Sequence, residues 1–219
     1  MSDSALNPAF SPCTARAGAM ILPGGSVSRM AGYTVFDTVI GRCGIAWGDC
    51  GVVGVQLPEA REIETRRRLY QAFPDARELR PPAEIQSAID GIAALLRGKA
   101  AEFSEVRLDM TGIPAFNARV YEFTRGIPRG ETRTYAEVAS ALKASGATNS
   151  VAQALAKNPF MLIVPCHRVL EAGGYADRIS PFAGSISKRR LLGIDGATGP
   201  SSRTLFDVLL TVAPPRPQG

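Results

Sequence analysis

Apolar and polar positions alternate in two different rhythms along this chain. The first rhythm is short. Tyr33-Thr34-Val35-Phe36-Asp37-Thr38, Cys43-Gly44-Ile45-Ala46-Trp47 and Val52-Val53-Gly54-Val55-Gln56-Leu57 are β-rich runs separated by Gly- and Asp-containing turns. They predict a small antiparallel meander. The second rhythm is helical. Residues 59–73 space Ile63, Leu69, Tyr70 and Phe73 for one face, and residues 83–97 do the same with Ile85, Ala88, Ile89, Ile92 and Leu95. Val106-Arg107-Leu108 reads as one more strand.

Beyond residue 112 the pattern is mostly helical. Pro114 to Thr124 carries Phe116, Val120, Tyr121 and Phe123, and the turn Gly126-Ile127-Pro128-Arg129-Gly130 ends it. Thr134-Tyr135-Ala136-Glu137 has the Thr-x-x-Glu form of a capping box. The helix behind it runs through Val138, Ala139 and Leu142. A turn at Gly146 leads to a second helix over 149–157, so the pair reads as a helix-turn-helix. Phe160-Met161-Leu162-Ile163-Val164 reads as a buried strand, and residues 185–192 as a last helix with Lys188, Arg189 and Arg190. The expected fold class is α+β. The expected divisions are a disordered leader at 1–30, units at 31–112 and 113–196, and a mobile Pro-rich tail at 197–219.

Composition narrows the class. Hydrophobic residues make up 45% and charged residues 21%, the balance of a soluble globular protein. No apolar run is long enough to span a bilayer, and the first thirty residues lack the apolar centre of a signal peptide. Cys13, Cys43, Cys50 and Cys166 do not form a disulfide framework, and their spacing does not suit a metal site. Neither metal nor cofactor is expected. Residues 117–219 hold 13 Lys and Arg against 7 Asp and Glu, whereas the rest of the chain is close to neutral. That surplus suits a polyanionic partner, and equally a solvated surface.

The chemistry concentrates in Pro165-Cys166-His167-Arg168-Val169. A thiol stands beside the chain's only histidine. The thiolate is the reactive form of cysteine, and a base that reaches the sulfur generates it. No second histidine, Cys-x-x-Cys pair or Gly-x-Ser-x-Gly elbow supports a hydrolase or redox protein.

Taken in order, Ile127-Pro128-Arg129-Gly130, Thr134 to Ala139, Asn158-Pro159, Pro165 to Val169, and Lys188 with Leu191-Leu192 resemble the O6-alkylguanine-DNA alkyltransferases, also called methylated-DNA–protein-cysteine methyltransferases. The resemblance covers residues 33–196. It implies a ribonuclease-H-like N-terminal domain and a winged helix-turn-helix-type C-terminal domain. It implies single-turnover repair of DNA: guanine is flipped from the duplex and Cys166 takes the alkyl group from O6. His167 would take the thiol proton through a water, and Asp195 falls where the family has a glutamate that orients the histidine. Tyr135 would face the base, and Arg133 and Thr134 the DNA backbone. The carbonyls of Cys166 and Val169 would accept from the guanine amino group, Ser180 would contact O6, and Asn158 and Arg168 would shape the segment beneath the cysteine.

Three positions depart from the family. Asn149 replaces an arginine that fills the gap left by the flipped base. Ile179 replaces an aromatic residue before Ser180. Asp195 sets its carboxylate back by about 1.5 Å relative to glutamate, so its contact to His167 is expected to lengthen or to take in a water. The expected partner is double-stranded or locally unpaired DNA carrying O6-alkylguanine. The reading is of a monomer without a membrane association, cytoplasmic and nucleoid-associated in a bacterium. The alternative is a divergent lesion-binding paralogue with weak or altered transfer.

Overall fold

The computed structural model describes residues 30–172, 183, 186 and 188–197. The leader, the tail beyond residue 197, Ile179 and Ser180 lie outside the described residues.

Strands β1 (Met30–Thr38), β2 (Gly41–Gly48) and β3 (Gly51–Gln56) form the expected antiparallel meander. A two-residue strand, β4 (Arg77–Glu78), adds in parallel to β1, giving the order β3-β2-β1-β4. Successive side chains of a strand face opposite ways. On β2, Ile45 and Trp47 join the buried core with Ile85, Ile89 and Ile92 of helix α2 (Ala83–Leu96). The opposite face is built from small residues so that helix α1 (Glu62–Ala72) can approach. A Cβ at Gly44 would lie 2.2 Å from Leu69, and one at Gly54 would lie 2.4 Å from Phe73. A side chain at either position would force Leu69 or Phe73 to move.

The α1 contact corrects the sequence reading. Leu69 and Thr65 are buried, but Ile63 and Tyr70 are 64% and 62% exposed. The helix touches the sheet along a narrow strip, so only part of its apolar pattern is covered. Val106–Leu108 is not a strand either: Leu108 makes one isolated bridge to Val52. Around that bridge, Val52 donates to Arg107 O and Asp109 donates to Val52 O. The same outer edge of β3 continues at Val55, which donates to Pro159 O at 2.8 Å and bridges Phe160. The edge strand is thus covered by two chain segments rather than left open.

Helices α3 (Ala115–Arg125), α4 (Tyr135–Ala141) and α5 (Thr148–Ala156) pack on one another. Val120 and Tyr121 are buried from α3, and Tyr121 Oη donates to Ala154 O. The capping box forms in full: Thr134 Oγ1 accepts from Glu137 N at 3.1 Å, and the Glu137 carboxylate accepts from Thr134 N. Residues 142–147 make the turn, with Lys143 and Gly146 both at positive φ. Two short parallel strands, β5 (Arg133–Thr134) and β6 (Val169–Leu170), pair beside α4. Helix α6 spans Lys188–Asp195, three residues later than the periodicity suggests.

The run Phe160–Val164 is not a strand. It is a tight turn, closed by Val164 N to Phe160 O at 2.8 Å, with Leu162 in the left-handed region at φ 70°. All five residues are at most 1% exposed. Their uniform apolarity records complete burial, not an extended backbone.

Candidate active site

Asn158 builds the seat of Cys166. Its Nδ2 donates to Val164 O and its Oδ1 accepts from Phe160 N, both at 2.9 Å, so one buried amide pins both ends of the turn. Cys166 N then donates to Val164 O, and residues Cys166–Arg168 form a single turn of 3-10 helix. The thiol is 6% exposed and its Sγ lies 3.6 Å from Met161 Sδ. Burial pushes the Cys166 thiol up, against the Asn158 side chain and the nearby Lys188 charge, which favour the thiolate.

His167 is 1% exposed. Its Nε2 faces Asp195 Oδ2 at 3.2 Å, a direct contact despite the shorter carboxylate. Its Nδ1 is buried and has no hydrogen-bond partner among the described residues. Burial holds the imidazole below its ordinary pKa; Asp195 opposes this, and the charges of Arg168 and Lys188 add to it. A neutral ring that donates from Nε2 to a carboxylate leaves the lone pair on Nδ1. The free nitrogen is therefore the basic one.

Asp195 ends α6 and is 2% exposed. Arg168 grips it with two nitrogens: Nε donates to Oδ2, and Nη2 to Oδ1 at 2.8 Å. The third arm, Nη1, donates to Ile127 O at 2.7 Å. Burial raises the Asp195 carboxyl, but the hydrogen bonds and charges of His167 and Arg168 outweigh it and hold the group well below the usual carboxylate range.

On the other side of the cysteine, Lys188 is buried. Its Nζ donates to Val169 O and to Tyr135 Oη at 3.3 Å, and sits 5.4 Å from the Tyr135 ring centre. Burial lowers the Lys188 pKa against the pull of Cys166 and Glu171. The pairing of Arg133 with Val169 and of Thr134 with Leu170 brings the start of α4 against the segment after the cysteine. The Arg133 guanidinium is held by Thr132 O and by Glu131, each at 2.9 Å. Asn149 stands exposed in the first turn of α5.

The structure thus brings Cys166, His167, Arg168 and Asp195 together, with Asn158 beneath them and Tyr135 and Val169 alongside through Lys188. Sequence reasoning gave no role to Lys188, Met161 or Arg129. Lys188 carried one signal, its match to the family pattern. Among the described residues no cluster of His, Cys, Asp and Glu could hold a metal ion.

Comparison with known proteins gives this geometry a context. The family "6-O-methylguanine DNA methyltransferase, DNA binding domain" matches residues 115–197. A methylated-DNA–protein-cysteine methyltransferase of Methanothermobacter thermautotrophicus is 35% identical over 156 residues, 71% of this chain and 80% of that protein. The chain belongs to the methylated-DNA–protein-cysteine methyltransferase family. The Mycobacterium tuberculosis methyltransferase is 39% identical over 127 residues, 58% of this chain and 74% of that protein. The solved structure of Mycobacterium tuberculosis O6-methylguanine methyltransferase aligns at TM-score 0.56 and 31% identity, over 80% of this chain and 98% of that one. Mycobacterium tuberculosis OGT in complex with DNA aligns at TM-score 0.56 and 29% identity, over 82% and 98%. The α+β architecture is shared with these members of the methyltransferase family.

Proposed function

We propose that this protein repairs DNA by moving an alkyl group irreversibly from O6 of guanine to Cys166. The observation that carries the reading is the buried thiol of Cys166 followed in the chain by an imidazole whose Nε2 meets Asp195 and whose Nδ1 has no partner among the described residues.

In this reading the lesion turns out of the duplex into the site, as chemistry on a base requires. The thiol gives its proton through a bridging water to His167 Nδ1, and Asp195 stabilises the imidazolium that results. Sγ attacks the alkyl carbon in line. The carbon–sulfur bond forms as the carbon–O6 bond breaks, and guanine keeps the electron pair, takes up a proton and leaves restored. The thioether stays on the protein, so each molecule acts once. Tyr135 and the carbonyl of Val169, both tied to Lys188, face the base. From the family resemblance alone, Ser180 would contact O6 and Ile179 would close the pocket. Arg133, Thr134 and Asn149 lie toward the DNA.

The finer architecture belongs to the same reading: a ribonuclease-H-like unit over 31–112 and a winged helix-turn-helix-type unit over 113–196, preceded by a leader and followed by a tail. The protein works as a cytoplasmic monomer, with the nucleoid as its place of work in a bacterium. Incubation with a duplex carrying O6-methylguanine, followed by intact and peptide mass analysis, tests it. The expected product is one methyl per molecule, on Cys166. Tight binding without transfer would favour a lesion-sensing paralogue instead, and a methyl on another cysteine would contradict the assignment.

A further inference from the structure

The last four carbonyls of a helix have no partner within it. In α6 these belong to Leu192, Gly193, Ile194 and Asp195. The chain beyond the helix satisfies two of them: Ala197 N donates to Leu192 O and Gly196 N to Gly193 O, with Gly196 at φ 72°. That is the glycine-terminated end many helices use. The remaining two are taken by a single distant side chain. Arg129 Nη2 donates to Ile194 O and Nε to Asp195 O, each at 3.2 Å.

The consequence lies in what α6 carries at that end. Asp195, whose carboxylate meets His167, is the final residue of an eight-residue helix, where fraying is greatest. Arg168 fixes its side chain. Among the described residues, Arg129 alone reaches across from another element to fix its backbone. The two arginines also share an anchor, because Arg168 Nη1 binds the carbonyl of Ile127, two residues before Arg129. The loop 126–130 therefore holds the carboxylate from both ends.

We infer that Arg129 is a positioning residue for alkyl transfer, which secures the end of α6 and so seats Asp195 against His167. The inference rests on the transferase reading. It assigns work to a motif residue that touches neither the thiol nor the histidine.

Two measurements on the full chain test it. The first is the single-turnover rate with free O6-benzylguanine, taken well below the melting temperature, for wild type, Arg129→Ala, Asp195→Asn and the double variant. Arg129→Ala should slow transfer roughly fivefold, well short of the hundredfold that a 1 Å misplacement can cost. In the Asp195→Asn background the same change should cost nothing further. An unchanged rate in Arg129→Ala, or a full repeat of the loss in the double variant, overturns the inference. If Arg129→Ala does not fold, Arg129→Lys decides: it keeps one donor and should be slower than wild type, and equal rates overturn the inference.

The second measurement needs no turnover. With one histidine in the chain, selective 15N labelling gives the signals of His167 alone. Wild type should show the Nε2–H tautomer, and Arg129→Ala a mixture with Nδ1–H. Identical spectra overturn the inference. A wild type that transfers no alkyl group while the spectra still differ refutes the transferase reading but leaves the positioning contact standing.

Discussion

One buried imidazole sets a measurable pH dependence of stability. His167 is the chain's only histidine, is 1% exposed, and is held below its ordinary pKa by burial. The unfolded chain carries the same ring at about 6.5. As pH falls through that value, the unfolded state takes up a proton that the folded state refuses. Unfolding is then favoured by up to about 1.36 kcal/mol per pH unit. Between pH 7.5 and pH 5.5 the loss sums to about 1.4 kcal/mol for a ring that stays neutral throughout. For a chain of this size that lowers Tm by about 3–6 °C. Ordinary carboxylates titrate below this window, and Asp195, held lower still, contributes only at more acid pH. The slope therefore belongs to one residue. Urea titrations followed by circular dichroism across the window measure it, and His167→Gln should flatten the curve. Were wild type instead to gain stability on acidification, His167 would be an imidazolium paired with Asp195, and the assignment of Nδ1 as a free base would be wrong. A flat wild-type curve would place the ring in solvent.

Further expectations concern the nucleophile, the DNA face and two local structures. Cys166→Ala should abolish transfer yet leave DNA affinity within about twofold, since phosphate contacts supply most of the binding; gel-shift and mass assays read both, and retained transfer contradicts the nucleophile. Asn149→Arg should speed repair of a lesion in duplex and leave the rate with a free O6-alkylguanine base unchanged, because a longer cationic side chain aids flipping alone; equal acceleration of both would remove Asn149 from the flipping position. Thr134→Ala deletes the hydroxyl that caps α4 and should cost about 1 kcal/mol in denaturant unfolding; no loss would mean water replaces the cap. Lys143 stands at φ 54°, so Lys143→Gly should stabilise by about 0.5–1 kcal/mol, and a destabilised variant would contradict that backbone geometry.

The sequence disclosed structure where one periodicity was unopposed. Helix α2 follows its apolar spacing because its Ile85, Ile89 and Ile92 are buried in the shared core. The start of α4 follows its Thr-x-x-Glu motif because the cap is local chemistry. Helix α1 misleads because the face opposite α2 is lined with glycine, so Leu69 enters and Ile63 does not. The run before Cys166 misleads because a buried turn and a buried strand have the same composition; the positive φ of Leu162 leaves no mark in the sequence. Strands β4, β5 and β6 are two residues each, too short for any period to register. In the site, Cys166 and His167 stood out through an ordered motif, and Asp195 through its place in the resemblance. Arg129 stood in one of the motifs but its role was not legible, because its partners are backbone carbonyls some 65 residues away and carbonyls are the same in every residue type.

The hydrogen bond from Val55 to Pro159 alters how the chain can be divided. Drawn as a diagram, the protein parts neatly after residue 112, with all the reactive groups in the second piece. The backbone does not respect that cut. Pro159 follows the asparagine that pins the turn ahead of the cysteine, and its carbonyl is spoken for by the first piece. A gene fragment starting at residue 113 would inherit every reactive side chain and lose the strand edge against which they are registered. The first piece, made alone, would keep residues 107–109 on Val52 but leave the Val55 end of that edge unpaired, inviting pairing with its own copies. Anyone building a minimal alkyl-accepting tag from this scaffold should shorten it at the ends and leave that seam intact.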